Sequence, residues 1–491
     1  MDLEKYFAKF RRRILGIDQT FETPFGEKRI IYADWTASGR LYGTIENRLK
    51  NEIFPFVGNT HTETTETGST MTFAYKSALK IIKNHVGASE TDVAILSNSG
   101  MTGVTNKFQR ILGLKVHEKF QNKLKLSKNK KPIIFVSHME HHSNHTSWLE
   151  TIADVEVIMA DESGLLSLEH LDHLLEKYKK RETKIAAITS CSNVTGIFTP
   201  YYDVAERMHK AGGLCFVDFA ASAPYIDIDM HPDNEHQKLD AIYFSPHKFL
   251  GGPGTPGALI FDSQLYKNKI PDNPGGGTVD WTNPWGEHKY VDDIEAREDG
   301  GTPGFLQTIK FAMCVKLKEE MQPEKMLERE EQQLKLVWKK LSKIKNLHIL
   351  ADSLRDRLAM ISFYIDDLHY NLAVKILNDR FGIQMRGGCS CAGTYGHYLL
   401  NVSQDHSNSI TSKINMGDLS DKPGWVRMSL HPTMTDEEID YILDSLKKLC
   451  KNHEKWAKDY EYNSHINEFV YIKDHSKIVD RVNNWYAKKL S

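Results

Sequence analysis

The chain has 491 residues, with 63 basic and 65 acidic side chains and a formal net charge of −2. That even balance argues against a protein that wraps nucleic acid, which carries a basic excess or patch, and against a highly charged disordered chain. The length suggests two or three domains, with enough core to dispense with disulfide or metal staples.

The first twenty residues, MDLEKYFAKFRRRILGIDQT, carry charge throughout and lack an apolar stretch. They read as a short amphipathic helix rather than a signal peptide. A short strand, RIIYADW, follows and ends in small polar residues. From 80 to about 265, apolar runs alternate with amphipathic stretches: TDVAILSNSG, KPIIFVSHME, VEVIMADES, KIAAITSCSN, GLCFVDFAAS and GALIFDSQ. These are short, β-branched and bounded by polar or glycine residues, so they read as buried parallel strands. LEHLDHLLEKYKKR and PYYDVAERMHKAG read as helices between them, the second punctuated by Pro200 and by Gly212–Gly213. The rhythm predicts an α/β parallel sheet with sites beyond the carboxyl ends of its strands. Residues 271–304 are rich in Gly and Pro and predict a long functional loop. One long charged helix is expected over 305–343. Strands of a smaller unit follow, and the charged, aromatic end from 446 is expected to be helical.

The six cysteines (Cys191, Cys215, Cys314, Cys389, Cys391 and Cys450) are no disulfide framework and suit a reducing, cytoplasmic setting. No apolar run approaches the length of a membrane span.

Five segments hold candidate chemistry. In AIYFSPHKFLGGPGTPGALIFD, Lys248 stands at the end of a strand beside Ser245 and His247. Desolvation lowers a lysine's pKa and makes it a nucleophile toward carbonyls; the competing reading is a surface lysine in a turn. In GLCFVDFAASAP, Asp218 ends a strand and is placed to pair with a protonated ring nitrogen, or to cap a helix. In ILSNSGMTGVTNKF, Gly100, Met101 and Thr102 open a helix whose N–H groups suit a phosphate. His138, His141, His142 and His145 have helical spacing, but His138 falls at a strand end, so no metal site is assigned. In GIQMRGGCSCAGTYGHYLL, Cys389 and Cys391 lie in a Gly-flanked, mobile loop beside Arg386, a setting that favours a thiolate. An incidental pair, a redox disulfide and half a zinc site are the alternatives there.

Taken together and in this order, the segments resemble the class V aminotransferase superfamily of fold-type I pyridoxal-phosphate enzymes, in its cysteine desulfurase and selenocysteine lyase branch. The resemblance runs from about 30 to 445. It implies an α/β fold: a large domain over 30–305 with a mostly parallel seven-stranded sheet, and a smaller α/β domain over 306–445. An N-terminal arm over 1–29, an insert over 393–424 and a helical extension over 446–491 complete the chain. The family's YLD-N-A-A start matches Tyr32 to Ser38 within IYADWTAS. Its phosphate turn matches Gly100–Thr102, and its Glu-His-His-x-Asn motif matches Glu140–Asn144, which assigns ring stacking and proton transfer to His141. Ser192–Gly196 matches S-N-x-x-G, placing Asn193 near the ring oxygen and the substrate carboxylate. Asp218 takes the pyridine nitrogen and Lys248 the Schiff base, with Ser245 and His247 on phosphate. E-x-G-T-P matches Glu298–Pro303 with one residue inserted, so Thr302 is implied to reach the phosphate of a partner subunit in a homodimer. R-x-G-x-x-C-A matches Arg386–Ala392, and R-x-S-L matches Arg427–Leu430, giving Arg427 the α-carboxylate.

The implied function is a pyridoxal-phosphate-dependent cysteine desulfurase or selenocysteine lyase. It releases alanine and passes sulfur to Cys391 as a persulfide, with a sulfur-acceptor protein as a further partner and no nucleic acid or membrane. The alternatives within class V are an aminotransferase, an epimerase or a β-eliminating lyase that leaves the cysteine unused. A non-catalytic scaffold is the rival from another class, and Lys248, Asp218 and Arg427 argue against it. Three departures stand out. Ala221 replaces the family's usual glutamine, Arg427 stands 36 positions after Cys391, and the tail is long.

Overall fold

The computed structural model describes residues 2–121, 123–473 and 478–490. Seven strands form the central sheet: β1 (Asp92–Ser97), β2 (Ile133–Ser137), β3 (Asp154–Ile158), β4 (Lys184–Thr189), β5 (Leu214–Asp218), β6 (Ala241–Phe244) and β7 (Gly257–Asp262). Their spatial order is β1-β7-β6-β5-β4-β2-β3. Alternation along β2 explains the layering. Ile133 and Phe135 belong to one buried cluster, Ile134 and Val136 to a second. Helices cover both faces, so the strands read as continuous apolar runs.

The sheet is mostly parallel, as the resemblance implies. GALIFDSQ, expected to be parallel, is the exception. It forms β7, which pairs antiparallel with both β1 and β6. The link from β6 to β7 holds only a Gly/Pro-rich turn with one 3-10 turn and lacks the α-helix that usually makes a parallel crossover. That turn carries Lys248.

The helix expected over 305–343 is two, Phe305–Met321 and Pro323–Leu341. Between them Gln322 has a φ of +62°, and Pro323 starts the second helix where its missing N–H costs nothing. Beyond them lies a four-stranded antiparallel sheet: β8 (Leu347–Ile349), β9 (Met360–Ile365), β10 (Arg386–Gly388) and β11 (Trp425–Ser429), in the order β8-β9-β11-β10. The segment expected to be a mobile loop therefore begins as an edge strand, and Cys389 packs against a small cluster that includes Met139, Tyr395 and Trp425.

The insert holds two helices, Gly393–Leu399 and Gln404–Asn415. The tail is not wholly helical. The helix Asp436–Ala457 runs past residue 446, and a hairpin, Tyr460–Asn463 with Glu468–Tyr471, follows before a last helix, Ile478–Ala487. Residues 474–477 and 491 of this expected extension lie outside the described residues. Near the other end, Ile31–Tyr32, just after the arm, pairs in parallel with Ile383–Gln384 of the later chain. Among the described residues no helix is long and apolar enough to cross a membrane.

Candidate active site

The carboxyl ends of β1, β2, β4, β5 and β6 open on one cavity of about 720 Å³. Asp218 is the last residue of β5 and is buried. Its Oδ1 accepts from Ala220 N–H at 2.8 Å in a local turn, with no helix there to cap, which leaves the other oxygen without a partner among the described residues. Burial raises its pKa to about 6. Across the cavity, Lys248 Nζ makes no hydrogen bond or ion pair among the described residues. Burial lowers the Lys248 pKa to about 8, against the opposing pull of Asp218. The amine is thus poised near neutral pH rather than fixed as a cation.

The helix Gly100–Ile111 begins at the cavity wall. Met101 N–H donates to Ser245 Oγ at 2.9 Å, and the Thr102 and Ser143 hydroxyls lie 2.6 Å apart. A Cβ at Gly257 would sit 2.0 Å from Gly100 O, so only glycine lets β7 pass behind this turn. His247 also lines the cavity, with its pKa lowered to about 4 by burial and by Lys248.

His141 caps the helix His142–Leu149. Its Nδ1 accepts from Ser143 N–H at 3.1 Å, which puts the ring hydrogen on Nε2. Burial and the Lys248 charge lower its pKa to about 3, so the ring is neutral. The four histidines do not converge. His138 packs edge-on to Tyr395 and Tyr398, His142 meets Gly393, and His145 meets Thr394.

Arg427, on β11, is buried, and one guanidinium nitrogen donates to Asn193 O at 2.8 Å. Another donates to Asp34 Oδ1 at 2.9 Å, while Arg386 Nε donates to Asp34 Oδ2 at 3.1 Å. Asp34 thus aligns both arginines. It lies inside the quoted IYADWTAS segment, yet the sequence reading assigned it no role. Thr36 and Ser390 were likewise missed, and Cys191, buried like Cys215, lines the cavity. Ala221 is there too, at the place of the family's glutamine.

Cys391 is exposed and lines the same cavity. The structure therefore brings together Gly100, Met101, Thr102, His141, Asn193, Asp218, Ser245, His247, Lys248, Arg386, Cys391 and Arg427. Thr302 stands apart, exposed in the glycine-rich segment, and does not line this chain's own cavity.

The cavity fits an anionic, ring-bearing group such as pyridoxal phosphate. Four buried polar atoms of its lining lack partners: Asn193 Oδ1, Arg427 Nε, Thr36 Oγ1 and Ser390 Oγ. A helix start with two neighbouring hydroxyls lies at one side. A buried carboxylate with a spare oxygen and an unpaired amine lie deeper.

The class-V aminotransferase family matches residues 31–442. A probable cysteine desulfurase of Staphylococcus aureus (strain Mu50) is 25% identical over 426 residues, covering 86% of this chain and 92% of that protein. A cysteine desulfurase of Haloferax volcanii is 28% identical over 262 residues, or 52% of this chain, and the match spans 59% of that protein. Two solved structures share the fold. The apo cysteine desulfurase of Thermococcus onnurineus NA1 has a TM-score of 0.70 at 21% identity, over 86% of this chain and 95% of that one. A cysteine desulfurase of Escherichia coli has a TM-score of 0.69 at 19% identity, over 91% and 98%.

Proposed function

The chain belongs to the class-V aminotransferase family, and from that premise we propose that it is a pyridoxal-phosphate-dependent cysteine desulfurase. The observation that carries this reading is that Cys391, an exposed residue, lines the same cavity as Lys248, Asp218, His141 and Arg427.

Pyridoxal phosphate, when bound, supplies an electron sink for the substrate's α-carbon. Lys248 and Asp218 would hold its aldehyde and ring-nitrogen ends. Gly100, Met101, Thr102, Ser245 and His247 would hold its phosphate, and Asn193 its ring oxygen. The chain's own residues do the rest. Arg427, squared up by Asp34, offers its free Nε and fork to the substrate carboxylate, with Arg386 beside it. Lys248, with a pKa of about 8, takes and returns the proton at Cα. His141 stays neutral and presents Nε2–H to the cavity. The Cys391 thiolate attacks the substrate sulfur. The carbon–sulfur bond breaks with its electron pair left on Cβ, which takes a proton to give alanine, and Cys391 keeps the sulfur as a persulfide. A reducing, cytoplasmic setting suits that thiol. Thr302, outside its own cavity, serves the cavity of a partner in a homodimer, and an acceptor protein takes the sulfur onward.

The test is purified, cofactor-loaded enzyme given L-cysteine, with alanine assayed and Cys391 analysed by mass. Wild type forms alanine and a Cys391 persulfide. Cys391→Ser forms neither yet keeps the visible absorption of the lysine-bound cofactor. Undiminished alanine from Cys391→Ser would refute the role of the thiol, and a keto acid in place of alanine would favour another class V reaction.

A further inference from the structure

The turn that carries Cys391 is held at both ends by one side chain and its backbone. Cys391 O accepts from His142 N–H at 2.7 Å. Two residues on, Gly393 N–H donates to His142 Nε2 at 3.0 Å. Flanking bonds extend the grip. Ser390 O accepts from Asn193 Nδ2 at 2.8 Å, and Thr394 Oγ1 lies 3.1 Å from His145 Nδ1. This stretch needs holding, because Ser390 and Cys391 have φ angles of +51° and +57°. Residues with side chains adopt that left-handed region only when their surroundings impose it. Gly393 permits the close approach, since a Cβ there would sit 3.2 Å from His142 Nε2.

We propose that His142 is a positioning residue for the sulfur-accepting thiol, gripping the Cys391 turn over the cavity through its neutral Nε2. The proposal rests on the reading of Cys391 as that thiol. It joins two tasks in one helix start. His141 presents its ring to the cavity, and the next residue fixes how the thiol approaches it. A sulfur transfer between two held atoms is sensitive to displacements of about 1 Å.

The grip depends on protonation. Nε2 accepts only while the ring is neutral with its hydrogen on Nδ1. Protonation puts a second hydrogen on Nε2 and sets it against Gly393 N–H. The titratable groups around His142 are Lys422 from the insert, His141 and His145 from its own helix, and the thiol of Cys391. Burial, then the Lys422 charge, keep its pKa below the usual imidazole value. The grip is therefore intact at neutral pH and released in acid.

Hydrogen exchange of the cofactor-loaded enzyme tests this without turnover. In His142→Ala, peptides covering 388–396 should exchange about tenfold faster at neutral pH, as loss of one partly buried hydrogen bond implies. His142→Gln should restore slow exchange, because its amide oxygen accepts from Gly393 N–H. Alanine formation in His142→Ala should fall in kcat with KM and cofactor absorption kept. Relative to the peptide over 133–137, wild-type exchange at 388–396 should rise on acidification, and that of His142→Gln should not. Unchanged exchange in His142→Ala, or no restoration by His142→Gln, overturns the proposal. If His142→Ala does not fold, an equal acid response in wild type and His142→Gln overturns it. Alanine formation by Cys391→Ser would instead overturn the functional reading, with the exchange result standing apart.

Discussion

Replacing Glu140 by its own isostere should damage the site. Glu140 precedes His141 and is buried. Its Oε1 accepts from Thr189 N–H at 2.8 Å, from Ser137 N–H at 3.2 Å and from the Ser137 hydroxyl. Its Oε2 accepts from Asn144 Nδ2 at 2.7 Å. Asn144 is not free to turn over, because its Oδ1 accepts from Trp148 Nε1 at 3.1 Å and from Tyr243 OH at 2.6 Å. Burial pushes the Glu140 pKa up to about 8 against the pull of these donors. Every neighbour presents a hydrogen, however, so the pocket is built for the carboxylate. Glu140→Gln keeps the shape and turns one acceptor into a donor. The new NH₂ then faces Asn144 Nδ2, donor against donor. Two buried groups lose their partners at about 1–3 kcal/mol each. A loss of about 3 kcal/mol lowers Tm by about 5 °C in a unit of this size. Adding Asn144→Asp puts an acceptor opposite the new amide. It should recover about half of the loss, because the added carboxylate then faces Ala187 O, to which Asn144 Nδ2 donates at 3.1 Å. Thermal scans of the four proteins at one scan rate, with cofactor absorption as the measure of His141 placement, decide it. A Glu140→Gln protein that melts with wild type, or a double variant no better than the sum of the singles, refutes the donor–acceptor argument.

Two more outcomes follow from the same geometry. In cofactor-free protein, labelling of Lys248 by an amine reagent should rise through about pH 8, and Asp218→Asn should move that midpoint lower, because the Asp218 charge raises the Lys248 pKa; peptide mass analysis across pH reads it, and an unmoved midpoint counts against the pairing. Gly257→Ala should push Gly100 out of place, weakening retention of pyridoxal phosphate on dialysis by about tenfold or more as the helix start shifts; retention equal to wild type would show that the turn yields without cost.

What the sequence made legible was local. Lys248, Asp218 and Gly100 each end or follow an apolar strand, and strand ends are where an α/β sheet keeps its sites. The sheet itself showed in six short apolar runs, and only the reversed β7 departed from the expected direction. Asp34 was not legible as a partner of Arg427, because nothing nearby in sequence announces an ion pair across 393 positions. The grip of His142 on Gly393 was hidden for the same reason, and a neighbouring histidine with a clearer motif role drew the assignment. The break at Gln322 could have been read from Pro323, since a proline within a helical pattern starts a new helix more readily than it continues one.

The pairing of Ile31–Tyr32 with Ile383–Gln384, and of Asp34 with Arg427, sets a schedule for synthesis. Residue 34 leaves the ribosome long before residue 427 is made. At about 5–20 residues per second that interval is about 20–80 s. Until residues 383–384 are made Ile31–Tyr32 lacks its parallel partner, and until residue 427 is made Asp34 has no Arg427 to hold. A chain stalled just before residue 427 therefore lacks the assembled pocket, with Cys391 already made and the Arg427 fork still missing.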